Sequence, residues 1–167
     1  MVVVGPGTYA GAVNFNARNV LLRSNDPEDD AVVAATIIDG GGATAITIDR
    51  GETEATISGF TIRNMAHGVL CANGSDPVIT HNIISGGTGS GVCCNGASAR
   101  IEHNTLSGNS SAMGGGIWCI DSPAAVAAFA LLPCGGCGFT FRHNSEIQRI
   151  VALTCPPATD NIYPACQ

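Results

Sequence analysis

The chain has 167 residues, 45% of them hydrophobic and 12% charged, which suits one domain with a continuous core and excludes charge-driven disorder. Its 22 glycines follow no three-residue period, which excludes collagen and points to many tight turns between short strands. All seven basic residues are arginine and thirteen acids bring the formal net charge to −6, so no nucleic-acid partner is expected.

The chain opens on Met1-Val2-Val3-Val4-Gly5-Pro6-Gly7, which lacks the basic and apolar regions of a secretory signal. Alternation of Val2 with Val4, Val13 with Phe15, Val20 with Leu22 and Ile46 with Ile48, together with Ile37-Ile38, marks short strands with one buried face. Asp26, Glu28, Asp29 and Asp30 surround Pro27 in a loop. Hard oxygen ligands in a flexible loop suit calcium, and a solvated acidic loop is the alternative. Asp39, ahead of Gly40-Gly41-Gly42, reads as a turn initiator.

From residue 57 the pattern becomes a repeat. Ile57-Ser58-Gly59-Phe60, Ile79-Thr80-His81-Asn82 and Ile101-Glu102-His103-Asn104 recur at a period of 22. Each copy continues to a second apolar residue (Ile62, Ile84, Leu106) and then to a glycine-led strand: Gly68-Val69-Leu70-Cys71, Gly91-Val92-Cys93-Cys94 and Gly116-Ile117-Trp118-Cys119. Stacking the copies at about 4.8 Å makes inward columns of Ile57/Ile79/Ile101, Ile62/Ile84/Leu106, Val69/Val92/Ile117 and Cys71/Cys94/Cys119. A buried aliphatic side chain contributes about 1.5–3 kcal/mol, but a single coil cannot close its own face and ordering it costs a comparable entropy, so stability must come from stacking. The expectation is an all-β parallel solenoid of about five or more coils over residues 1–123. An irregular C-terminal cap or tail follows over 124–167. The longest apolar run, Ala124 to Leu132, falls well short of the roughly 20 residues that span a bilayer.

The segments Val4-Gly5-Pro6-Gly7-Thr8-Tyr9, Leu21-Leu22-Arg23-Ser24, Thr36-Ile37-Ile38-Asp39-Gly40 and Ile57-Ser58-Gly59-Phe60-Thr61-Ile62 carry a resemblance, as does Gly114-Gly115-Gly116-Ile117-Trp118-Cys119 with Asp121-Ser122-Pro123. Over roughly residues 2–123 the chain resembles bacterial right-handed β-helix repeat proteins of the pectate-lyase-like superfamily. That resemblance implies a right-handed, single-stranded parallel β-helix. It leaves activity open, because the architecture hosts lyases, hydrolases, epimerases, adhesive proteins and periplasmic accessory proteins. Members usually carry residues ahead of the valine-rich start that cap the first coil; here the first edge is expected to be open, which suits a homo-oligomer stacked end to end through Val2 to Val4.

Several residues are candidates for chemistry. Asn82 and Asn104 sit at a turn and are expected to form an asparagine ladder. His81 and His103 project from adjacent coils at a spacing that would let two imidazoles share a divalent metal. Lyases of the resembled superfamily need a base, usually arginine, lysine or histidine, and with lysine absent the candidates are Arg63, Arg100 and His103. Hydrolases of this shape need paired carboxylates, and Asp76, Glu102 and Asp121 specify no pair by spacing. Trp118, with Leu70 and Cys93 on the same outward face, is a candidate for stacking on sugar rings. Cys71, Cys94 and Cys119 read as small core residues, with a disulfide between stacked neighbours as the alternative, whereas Cys134, Cys137, Cys155 and Cys166 are disulfide candidates in the tail.

Eight cysteines in an acidic chain of this size suit a secreted, cell-surface or periplasmic setting. The leading expectation is an extracellular non-catalytic module with a structural, self-assembling or polysaccharide-binding role. The alternatives are a polysaccharide lyase-like fragment acting on uronic-acid polymers, with calcium or an arginine to neutralise the uronate carboxylate, and a periplasmic metal-handling accessory protein.

Overall fold

The computed structural model describes residues 1–127, 130–131 and 139–142. Three strands make each coil. The first holds β1 (Val2–Val4), β2 (Gly7–Ala10) and β3 (Val13–Asn14); the second holds β4 (Leu21–Ser24), β5 (Thr36–Asp39) and β6 (Ile46–Ile48); the third holds β7 (Thr56–Ser58), β8 (Thr61–Arg63) and β9 (Val69–Ala72). The fourth coil contains β10 (Val78–Thr80), β11 (Ile83–Ser85) and β12 (Val92–Asn95), and the fifth β13 (Arg100–Glu102), β14 (Thr105–Ser107) and β15 (Ile117–Ile120). Past residue 123, β16 (Ala125–Ala127), β17 (Ala130–Leu131) and β18 (Phe139–Arg142) add a rung to each sheet.

Strands recur every third element, so like strands stack into three parallel six-stranded sheets: A (β1-β4-β7-β10-β13-β16), B (β2-β5-β8-β11-β14-β17) and C (β3-β6-β9-β12-β15-β18). The coil pairing therefore runs beyond the boundary expected at residue 123. The Ala124 to Leu132 run conceals it, because alanine-rich strands show no alternation of large apolar with polar side chains.

All four columns form in register. Ile79 pairs with Ile57 and Ile101, Ile84 with Ile62 and Leu106, Val92 with Val69 and Ile117, and Cys94 with Cys71 and Cys119. Leu22 extends the first column, Ile38 the second, and Ile46 with Ile48 the third and fourth. These side chains make one continuous buried core. Among the described residues no helix is long and apolar enough to cross a membrane.

The corner between sheets A and B is a two-residue turn in coils three to five: Gly59-Phe60, His81-Asn82 and His103-Asn104. Its first residue is left-handed, with φ of 81°, 54° and 53°. Its second residue carries the ladder. Asn82 Oδ1 accepts from the Phe60 N–H at 3.0 Å and Asn104 Oδ1 from the Asn82 N–H at 2.9 Å, while each Nδ2 donates to a carbonyl of the coil before, at Ile57 and Ile79. A third asparagine works the same way at another corner: Asn109 Oδ1 accepts from Gly87 N–H and its Nδ2 donates to Ile84 O, both at 2.9 Å.

A buried carboxylate holds the turn after β3. Glu52 is 2% exposed, and its two oxygens accept from the N–H of Ala17 at 2.9 Å and of Arg50 at 2.8 Å. Burial alone pushes this carboxyl up, but the N–H groups of Arg50, Glu52 itself and Ala17, with the Arg50 charge, outweigh it and hold the group below its ordinary value. A lowered native value means that the unfolded chain binds more protons, so the Glu52 contribution is complete above the ordinary value of 4.5 and is lost as pH falls through the native one. We expect Glu52→Gln to cost about 1–3 kcal/mol near pH 7, because one buried N–H is left facing an NH2 group. Urea unfolding at stepped pH should show the gap to the wild type narrowing below about pH 4; a gap constant down to pH 3 would contradict the assignment.

Candidate functional site

In the second coil, residues 25–35 replace the two-residue corner. They hold the acidic loop and a short helix, α1 (Asp30–Ala35), where the sequence suggested only a loop. Asp29 caps the helix, its Oδ1 accepting from Ala31 N–H at 2.8 Å and Val32 N–H at 3.4 Å, so α1 starts where a carboxylate satisfies free backbone donors. Val33 is buried, and the Val33 carbonyl accepts from Thr61 Oγ1 at 3.0 Å, which fixes the insertion on the outside of sheet B.

Gly59 explains where the insertion lies. A Cβ there would strike Ser24 Oγ and come within 2.6 Å of Pro27 Cα. The coil that carries the insertion above it thus has glycine at the position where the next two coils carry His81 and His103. The two rings stack below the overhang, with centroids 4.9 Å apart and planes 13° from parallel. His81 Nδ1 lies 2.8 Å from Thr80 Oγ1.

A cleft of about 80 Å3 opens between these parts. Pro27, Glu28, Asp30 and Val33 line it from the insertion; His81, Asn82, Ile83, His103 and Thr105 line it from the fourth and fifth coils. Two groups of candidates that are far apart in sequence therefore share one depression. Its available polar side chains are carboxylates, imidazoles and a hydroxyl, a set that both accepts and donates hydrogen bonds, while the Asn82 amide is taken up by the ladder.

The two rings are parallel and do not converge. Both imidazoles leave equivalent left-handed residues in register, so their in-plane lone pairs run side by side and do not meet at one ion. Asp29 is turned onto its own helix, and Asp26 Oδ1 accepts from Glu28 N–H at 3.2 Å. Among the described residues, no group of three or more His, Cys, Asp and Glu side chains is placed to hold a metal ion.

The three candidate bases are also dispersed. Arg63, at the end of β8, has its Nε 3.7 Å from Asp39 Oδ2. Hydrogen bonds from Asn64 and from the Gly41 N–H hold the Asp39 carboxyl below its ordinary value against the opposing effect of burial, with the Arg63 charge adding the smallest part. Arg100 stands two coils further on, in sheet A, with Nη2 and Nε at 2.9 and 3.0 Å from Glu102 Oε2. His103 belongs to the cleft.

On the outer face of sheet C, Leu70, Cys93 and Trp118 are in register as expected, yet the face is not an open platform. Cys93 is only 3% exposed, and burial pushes its thiol up to about 11; Trp118 is half-buried. A flat side chain flanked by neighbouring rungs loses exposure that period-two alternation assigns to it. The four described cysteines, Cys71, Cys93, Cys94 and Cys119, are free thiols. Cys134, Cys137, Cys155 and Cys166 lie outside the described residues.

Sequence reasoning missed Asn82, Ile83 and Thr105 as cleft residues. The signal that marks the place is Gly59, the copy that departs from histidine where something else must fit.

Comparison with known proteins is consistent with this architecture: the family model described as right handed beta helix region matches residues 9–128. No curated protein and no solved structure matches the chain. With most of its length matched, and with parallel sheets closing a common core, the chain belongs to the right-handed β-helix family.

Proposed function

We propose that the chain is a non-catalytic binding module of an exported protein, which presents its lateral cleft to a hydroxyl-rich polymer such as a polysaccharide. The observation that carries this reading is the cleft itself, where Glu28, Asp30, His81, His103 and Thr105 gather on a rigid stack of coils. Sugar hydroxyls are both donors and acceptors, and this set matches both roles. A solenoid suits an extended ligand, because successive coils repeat the same groups along one direction. Export accords with the cysteine content, through the four tail cysteines as disulfide candidates.

Titration calorimetry against neutral and acidic polysaccharides tests it. Saturable binding is expected, weakened tenfold or more, about 1.4 kcal/mol, in a His81→Ala/His103→Ala variant that keeps the wild-type melting temperature. The lyase-like alternative predicts unsaturated products from pectate or alginate with calcium present. Such turnover, abolished by Arg100→Ala, would overturn the proposal.

A further inference from the structure

Cys71, Cys94 and Cys119 are consecutive inward rungs of sheet C, fully buried and reduced. Cys94 lies between the other two in the register and so neighbours both. The binding cleft uses none of them.

Two chemistries can link such rungs, and spacing decides between them. A disulfide wants Cβ atoms about 3.5–4.5 Å apart. In-register parallel strands hold equivalent atoms about 4.8 Å apart, inside the Cα range of a disulfide but beyond its Cβ range, so a disulfide would pull the two side chains toward each other. A soft cation held in line by two thiolates spans twice a metal–sulfur bond of about 2.3 Å, or about 4.6 Å. That length fits between adjacent rungs with the backbone left in place.

Coordination number and charge narrow the ion. Zinc asks for four ligands, and each gap in the column offers two. The inward residues two positions earlier on the same strands are Val69, Val92 and Ile117, and Ile48 precedes Cys71 in the column; all are buried. A monovalent ion would leave a net negative bis-thiolate in this apolar core, whereas a divalent ion leaves a neutral one. We propose that the Cys71-Cys94-Cys119 column is a two-coordinate site for a soft divalent cation of the mercury(II) type, held between the Sγ atoms of Cys94 and one neighbour. Two S–H bonds break, two metal–sulfur bonds form, both protons pass to solvent, and nothing is oxidised or reduced. Cys94 borders both gaps, so filling one removes the sulfur the other needs, and the column takes one ion.

The thiols are sealed, so loading is best done during folding. Wild type, Cys94→Ala, Cys71→Ala and Cys119→Ala are refolded from urea with mercury(II) chloride, washed with a small thiol, and their mercury counted per chain. The tail cysteines add the same background to all four. Cys94→Ala is expected to hold one ion fewer than wild type, while Cys71→Ala and Cys119→Ala each keep the wild-type count, because either leaves one intact gap. A full count in Cys94→Ala, or an equal drop in all three, overturns the proposal. Crystals of the loaded wild type give a check that needs no variant: an anomalous peak between Cys94 Sγ and a neighbouring Sγ supports the site, and peaks only elsewhere overturn it.

Discussion

Asn82→Ala should lower stability by about 3–5 kcal/mol, more than any exposed turn substitution in this chain. The side chain is 1% exposed and closes two coils at once. Its Oδ1 takes the Phe60 N–H, and its Nδ2 is shared among Ile57 O at 3.1 Å, Thr80 O at 2.8 Å and Asn104 Oδ1 at 3.1 Å. Alanine leaves the Phe60 donor and at least one carbonyl buried and unpaired, and each such group costs about 1–3 kcal/mol. For a chain of this length that corresponds to a drop in melting temperature of roughly 6–20 °C. Asn82→Asp keeps the shape and the acceptor but turns a carboxylate toward carbonyl oxygens, so it should fall in the same range. Urea unfolding is the measurement, with a lower midpoint and an unchanged slope expected. A loss under 1 kcal/mol would show that the ladder does not bind the coils together.

How much of this was legible in the sequence follows from distance along the chain. Ile57, Ile79 and Ile101 recur at a constant offset, so a period read from one strand placed all three sheets. Asn82 and Asn104 sit at that offset too, and their ladder was expected. Asn109 stacks by the same rule, but its counterpart one period back is Gly87, which has no side chain to reveal the column. Glu52 was invisible because its partner Ala17 is 35 residues away in an irregular turn. The cleft was half legible. Asp26 to Asp30 and His81 with His103 each stood out as chemistry-bearing groups, yet nothing in their spacing said that an insertion on the second coil would overhang the fourth. Only stacking brings them together, and only the clash at Gly59 records that it has. The two candidate histidines stack for a geometric reason: a repeat that sets side chains in register lays their imidazoles face to face, 4.9 Å apart and 13° from parallel.

The inward register of sheet A predicts an equally large effect at a single methyl-rich side chain. Ile79 is fully buried between Ile57 and Ile101, so Ile79→Ala removes three carbons from a column with no slack. Losses for such truncations run to about 2–5 kcal/mol, with the upper half expected where neighbours cannot collapse inward. Here they cannot: Ile57 and Ile101 are held by their own ladders, and each strand pairs on both sides. Ile83 supplies the contrast. It is four residues further on, half-buried on the outer face of sheet B beside the cleft, and Ile83→Ala should cost about 1 kcal/mol or less, as an outward residue with water nearby. Because successive side chains point to opposite faces, a slip of one residue in the register would reverse this order. Chemical unfolding of the two variants side by side therefore reads the register directly. If Ile83→Ala proved the more damaging, the columns on which the solenoid and its cleft depend would be wrongly drawn.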